Sequence, residues 1–334
     1  MIPRHYRVAL LALWVGCFTA CVATPQSVAL REAYAAAQLR GASPPFTPVI
    51  NLATVPFFPQ EQYQCGPAAL ATVLQSAGVS IQPQALVAQV YVPARQGSLQ
   101  VEMLATPRRY GVLSYEIPPR LESLLLELAA GRPVLVMQNL GLDILPQWHY
   151  AVAVGYDLEQ NQLILRSGLI RDYRVALTTF ERTWQRAGYW AYVVLRPGEL
   201  PADDNADAYF QSLTAFESVA APMLTLSAYA EGFGRWPTHE LLGMGYGNLL
   251  YSQGEKDTAV QVYQTLLLHN PDSGAAHNNL AHVLLEQGDF DNALGHAQQA
   301  VALGGAFADV YRATLTRIHA SHVGSEDPDI DIIP

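Results

Sequence analysis

Three cysteines in 334 residues leave little room for a disulfide framework. Charge is scarce as well, at 14% of residues, with 19 basic against 29 acidic side chains for a net charge of −10. No Lys/Arg stripe and no Cys/His cluster at finger spacing is present, which argues against a nucleic-acid partner. The apolar run from Val8 to Ala20 is too short for a membrane span. What remains is half apolar and long enough for two folded units with flexible ends.

Arg4 and Arg7, the apolar run and then Cys21 form a charged n-region, an h-region and a processing site. "FTAC" (Phe18 to Cys21) resembles the lipobox of bacterial lipoproteins, with Cys17 in "WVGC" as the second candidate. The resemblance implies a signal peptide over 1–21, a lipid on Cys21 and a membrane-bound chain in the bacterial cell envelope. Cys17 then leaves with the signal, Cys21 is a thioether, and Cys65 is the one remaining thiol. A lone thiol in an exported chain is either a small buried hydrophobe or a reactive group.

Residues 22–48, rich in Ala, Ser, Thr and Pro with one helical patch, "SVALREAYAAAQL", are expected to form a tether. From 49 to 198 helical patterns come first: Cys65 to Ala77, Pro83 to Val90, Leu99 to Tyr110 and Leu121 to Ala130. Four strand-like runs follow, "PVLVMQN", "HYAVAVGY", "QLILRS" and "YWAYVVLRP", so an α+β unit with segregated layers is expected. "LPADDNADAY" (Leu200 to Tyr209) reads as a linker. Beyond it the pattern is all-helical, and Gly254 and Gly288, like Ala259 and Ala293, lie 34 residues apart. That is the tetratricopeptide (TPR) period; a further shift aligns Pro237 with Pro271 and Tyr229 with Tyr263, giving a repeat domain over 203–320. The acidic segment 321–334 is expected to be a mobile tail.

A thiol attacks as thiolate, and a helix start beside a histidine favours that form. Cys65 opens the helical pattern, with Gly66 and Pro67 after it. Of nine histidines, His5 lies in the signal and seven lie in the repeats or tail; His149 alone stands in the first unit, opening a strand.

"PFFPQEQYQCGPAALATVL" followed by "HYAVAVGYD" resembles the bacteriocin-processing type of papain-like cysteine peptidases, which cut leader peptides after paired glycines; the likeness spans Val55 to Leu195. It implies a papain-like fold, Cys65 as nucleophile, His149 as general base, and an oxyanion-binding glutamine upstream of the cysteine. Gln60 is the choice, with Gln62 and Gln64 as alternatives.

The third member of such a site, a carboxylate or amide that orients the imidazole, has no evident counterpart. Asp157 is eight residues along the same strand from His149, roughly 26 Å at about 3.3 Å per residue. If "DLEQN" forms the hairpin turn with Tyr156 opposite Gln162, His149 pairs near Leu169 and Ser167 shares its face. Either Ser167 or a backbone carbonyl then orients His149, or a dyad operates; Asn139 and Asp143 are lesser candidates.

The expectation is a lipid-anchored cysteine peptidase with no metal or cofactor, a peptide or protein substrate, and a protein partner on the TPR array. The alternative is a peptidase-like binding module that recruits partners through the repeats. Acyl transfer to another acceptor would use the same Cys/His pair.

Overall fold

The computed structural model describes residues 24–40, 46–60 and 64–323. The signal segment, Cys17, Cys21, Gln62 and the tail from 324 onward lie outside these residues. By contact density the chain divides into two units. One holds the described residues up to Ser76 with Ile81–Ser98 and Ile117–Tyr192; the other holds Ala77–Ser80, Leu99–Glu116 and the chain from Val193.

The first unit opens with α1 (Pro25–Leu39), β1 (Val49–Asn51), α2 (Cys65–Ser76), α3 (Pro83–Val90), β2 (Tyr91–Val92) and β3 (Gly97–Ser98). α4 (Gln100–Arg109) and β4 (Leu113–Glu116) come next in the chain but are counted with the second unit; the first continues through α5 (Leu121–Ala129), β5 (Val134–Asn139), β6 (Trp148–Asp157), β7 (Gln162–Ser167), β8 (Ile170–Ala176) and α6 (Leu177–Gln185) to the start of β9 (Ala191–Leu195). The main sheet runs β4-β9-β5-β6-β7-β8, with β1 added on β6. Its axis is β6, whose residues from Tyr150 to Asp157 are all buried. The first half of β6 pairs with β5 and the last three residues with β1. Gly155 is required there, since a Cβ would stand 2.3 Å from the Ile50 carbonyl oxygen.

The register corrects the sequence expectation at the turn. Tyr156 faces Leu163, and Asp157 faces Gln162. A bulge between Ala153 and Gly155 then absorbs one residue, so that Val152 faces Arg166, the pairing expected at this end. β8 and α6, which the strand patterns did not reveal, complete the unit. The stretch expected to be a tether is also partly folded: α1 buries Ser27, Tyr34 and Ala37. The Glu181 carboxylate accepts from the backbone N–H groups of Gln26 (3.0 Å) and Ser27 (2.7 Å), a remote acid serving the start of α1.

In the second unit α7 (Ala206–Glu217), α8 (Pro222–Arg235), α9 (Glu240–Ser252), α10 (Lys256–His269), α11 (Gly274–Glu286), α12 (Phe290–Leu303) and α13 (Ala308–Val323) follow one another. The odd-numbered helices start 34 residues apart, as do the even-numbered ones, so three helix pairs and a final helix realise the period read from the sequence. Small residues sit where paired helices meet: a Cβ on Gly247 would lie 2.4 Å from the Tyr263 ring. The expected linker before α7 is structured. Tyr115 donates to the Asp203 carboxylate at 2.5 Å, and Arg235 donates to the Pro201 and Asp203 carbonyls at 2.6 and 2.8 Å.

Candidate active site

Helix α2 begins at Cys65, with the Ala68 N–H bonded to the Gln64 carbonyl. Pro67 falls in the first turn, where its missing N–H leaves no helical bond unmade. Ala68, Ala69, Leu70, Ala71, Val73 and Leu74 are all buried, which seats the helix against β5 and β6. Cys65 itself is partly exposed and unpaired. The backbone N–H groups of Tyr150, Gly66 and Cys65 are near enough to favour its thiolate.

His149 stands on β6 opposite Gln138 of β5. Its Nε2 lies 2.9 Å from Ser167 Oγ at the end of β7. Gln60, on the segment after β1, donates from its backbone N–H to the Gly168 carbonyl (3.1 Å) and from Nε2 to the Tyr150 carbonyl (3.3 Å). The main chain of Tyr150 is therefore the meeting point: its N–H faces Cys65 and its carbonyl faces Gln60. Tyr150 was not singled out in the sequence, although its place beside His149 is the signal that could have found it. Its ring is fixed by a hydroxyl bond to the Ser98 carbonyl (3.1 Å) and by edge contact with Trp190.

The other candidates stand apart. Asn139 Oδ1 accepts from the Gly141 and Gln147 N–H groups at 3.0 and 2.9 Å, closing the loop between β5 and β6. Asp143 is exposed within that loop, and Asp157 Oδ1 accepts from the Gln160 N–H at the far turn of β6. The Gln64 side chain lines a small cavity with Phe58, Pro59 and Gln82, and its carbonyl serves the start of α2. Among the described residues no three His, Cys, Asp or Glu side chains gather as a metal site.

Residues 52–192 match the family model described as Peptidase C39 like family. This stretch is a C39-like peptidase domain. Residues 246–308 match the tetratricopeptide repeat model, and the helices around them are its repeats. No curated protein matches the chain. Among solved structures it is similar to a C39-like peptidase from Bacillus anthracis, with 21% identity over 43% of this chain and 97% of that one, TM-score 0.37. It is also similar to a double-glycine-motif protease from an AMS/PCAT transporter in complex with the leader peptide: 22% identity, 42% and 91% coverage, TM-score 0.34. On the repeat side there is MamA from Desulfovibrio magneticus RS-1, at 11% identity, 38% and 81% coverage and TM-score 0.28.

Burial acts on both titratable groups of the C39-like domain that the sequence singled out. Burial pushes the Cys65 thiol above its ordinary value, outweighing the three backbone N–H groups that favour thiolate. Burial also lowers the His149 imidazole. Both shifts favour the neutral form of each group. A partly buried imidazole that stays unprotonated below its usual range is a base available at neutral pH.

Proposed function

We propose that the C39-like domain hydrolyses peptide bonds as a cysteine peptidase. What supports this reading is that Cys65 and Gln60 both meet the main chain of Tyr150, the residue that follows His149 on β6. With Nε2–H donated to Ser167, Nδ1 of His149 is the free base. It takes the Cys65 proton as the sulfur attacks the scissile carbonyl. The oxyanion is held by the Cys65 N–H and by the Gln60 Nε2 proton not given to Tyr150. The imidazolium then protonates the leaving amine, and water, deprotonated by His149, hydrolyses the thioester. Ser167 sets the tautomer but, being neutral, does not stabilise the imidazolium as a carboxylate would.

Substrate contacts would come from the two loops flanking this end of the sheet. Leu142, Ile144, Leu145 and Trp148 before His149, and Leu169 after Ser167, are exposed. They suit a substrate with large apolar side chains beside the scissile bond. We further propose a lipid on Cys21, placement in the bacterial cell envelope, and a protein partner on the TPR array. The deciding experiment incubates the purified protein, its Cys65→Ala variant and its His149→Ala variant with a defined peptide library and reads products by mass spectrometry. Cleavage by the first alone is expected; equal cleavage by all three removes the peptidase reading and leaves peptide holding.

A further inference from the structure

Behind Ser167 lies a buried cation that the chemistry above does not use. Arg166 is 3% exposed and sits where β7 and β8 slip by one residue: Leu165 faces Tyr173, but Ser167 faces Ile170. Strand alternation sends its side chain to the face opposite Ser167. There Nη1 donates to the Arg171 carbonyl (2.7 Å) and pairs with the Asp172 carboxylate, while Nη2 donates to the Val55 carbonyl (3.2 Å). Arg171 adds a bond from Nη2 to the Ala53 carbonyl (3.1 Å), and the Gln60 N–H closes on the Gly168 carbonyl (3.1 Å). The β7–β8 hairpin carrying Ser167 and the 53–60 segment carrying Gln60 are thus clasped together.

We propose that Arg166 is the positioning residue of this site, setting both Ser167 against His149 and Gln60 against Tyr150 from behind the sheet. The proposal rests on the peptidase reading of Cys65 and His149. A bulge next to a site re-aims a side chain, and a guanidinium is suited to holding one open because its planar fork serves several acceptors at once. Lysine offers a point charge and cannot span the same three partners.

Two readouts separate the two positions that Arg166 is argued to set. Alkylation of Cys65 by iodoacetamide, followed by mass spectrometry from pH 6 to 10, reports the His149 base and its Ser167 partner. Protection of Cys65 by the peptide aldehyde acetyl-Leu-Leu-norleucinal reports the oxyanion position of Gln60. Ser167→Ala should slow alkylation near neutral pH, and Gln60→Ala should weaken aldehyde capture, each by about tenfold. Arg166→Met should lower both together, Arg166→Lys should restore neither fully, and Arg166→Met should add little to Ser167→Ala in alkylation. Asp172→Asn, at a half-exposed partner, is the milder variant should Arg166→Met melt at the working temperature; it should move both readouts in the same direction. Wild-type behaviour of the folded Arg166 and Asp172 variants, or a full multiplicative loss with Ser167→Ala, overturns the positioning role. If instead the wild-type protein captures no aldehyde and His149→Ala alkylates like wild type at every pH, it is the peptidase reading that falls.

Discussion

In the repeat half, helices recur at a 34-residue period, and some small and aromatic residues keep that interval, as Ala259 and Ala293 or Tyr229 and Tyr263 do. In the C39-like domain the partners come from far along the chain: Gln60 meets Tyr150 across 90 residues, and Arg166 meets Val55 across 111. A period tolerates local error because every interface has a relative elsewhere in the array. A convergent site has no such redundancy, and a displacement of one strand dismantles it.

The most severe break of this contrast is chemical. Cys65→Ala should abolish peptide cleavage, and His149→Ala should lower it by about a thousandfold, the range of a lost general base. Far-ultraviolet circular dichroism should show the repeat helices unchanged in both. Gly155→Val should come next, through structure rather than chemistry. Its side chain would drive β1 off β6 and release the register that the bulge sets, costing about 1–3 kcal/mol or more in denaturant titration. Gly247→Val, against Tyr263, is the matched insult in the repeats and should cost a similar amount without slowing Cys65 alkylation in the folded fraction.

How much of this was legible differs between the halves for physical reasons. The 34-residue spacing survives in the sequence because its glycines answer a local backbone need: Gly254 and Gly288 hold φ of +82° and +81° in the turns after α9 and α11. Cys65, His149, Gln60 and Ser167 were found because a resemblance and a strand register named them, not because spacing alone placed them. The register itself was one residue off at the turn, and an unforeseen bulge at Val154 returned it by the level of Arg166. Bulges leave no periodic trace. β8 went unread because "IRDYRVA" is an edge strand, exposed at six of its seven residues, with no apolar alternation to detect. α6 carries Leu177, Phe180 and Trp184 at helical spacing with polar residues between them, an amphipathic signal that the sequence does hold. The role of Glu181, which is buried and satisfies the start of α1, could not be read at all, since the pairing crosses more than 150 residues.

Acid should act on both halves with the same sign. Burial lowers the imidazoles of His149, His282 and His296, so the folded chain holds fewer protons than the unfolded one just below the ordinary histidine value. Stability should therefore be full above about pH 6.5 and fall as pH drops through the lowered values. Melting temperature measured from pH 8 to pH 5 should decline, and His282→Gln should flatten part of the slope. A melting temperature that rises toward pH 5 would contradict the buried, neutral state of these rings.

Ser167 offers a finer test of what the site lacks. On the peptidase reading, a hydroxyl orients the imidazole but would leave the imidazolium of turnover without a counter-charge. Ser167→Asp should raise the His149 pKa, bring the thiol and imidazole toward the ion pair, and speed iodoacetamide alkylation at pH 7 by about threefold to tenfold. The smallest effect should come from the apolar loop. Trp148→Ser and Ile144→Ser remove exposed side chains that no proton transfer uses, so KM for a peptide found in the library screen should rise about threefold to tenfold with kcat nearly unchanged. A fall in kcat with KM unchanged would mean that this loop orders His149 instead of holding substrate, and the rim would then belong to the same positioning apparatus as Arg166.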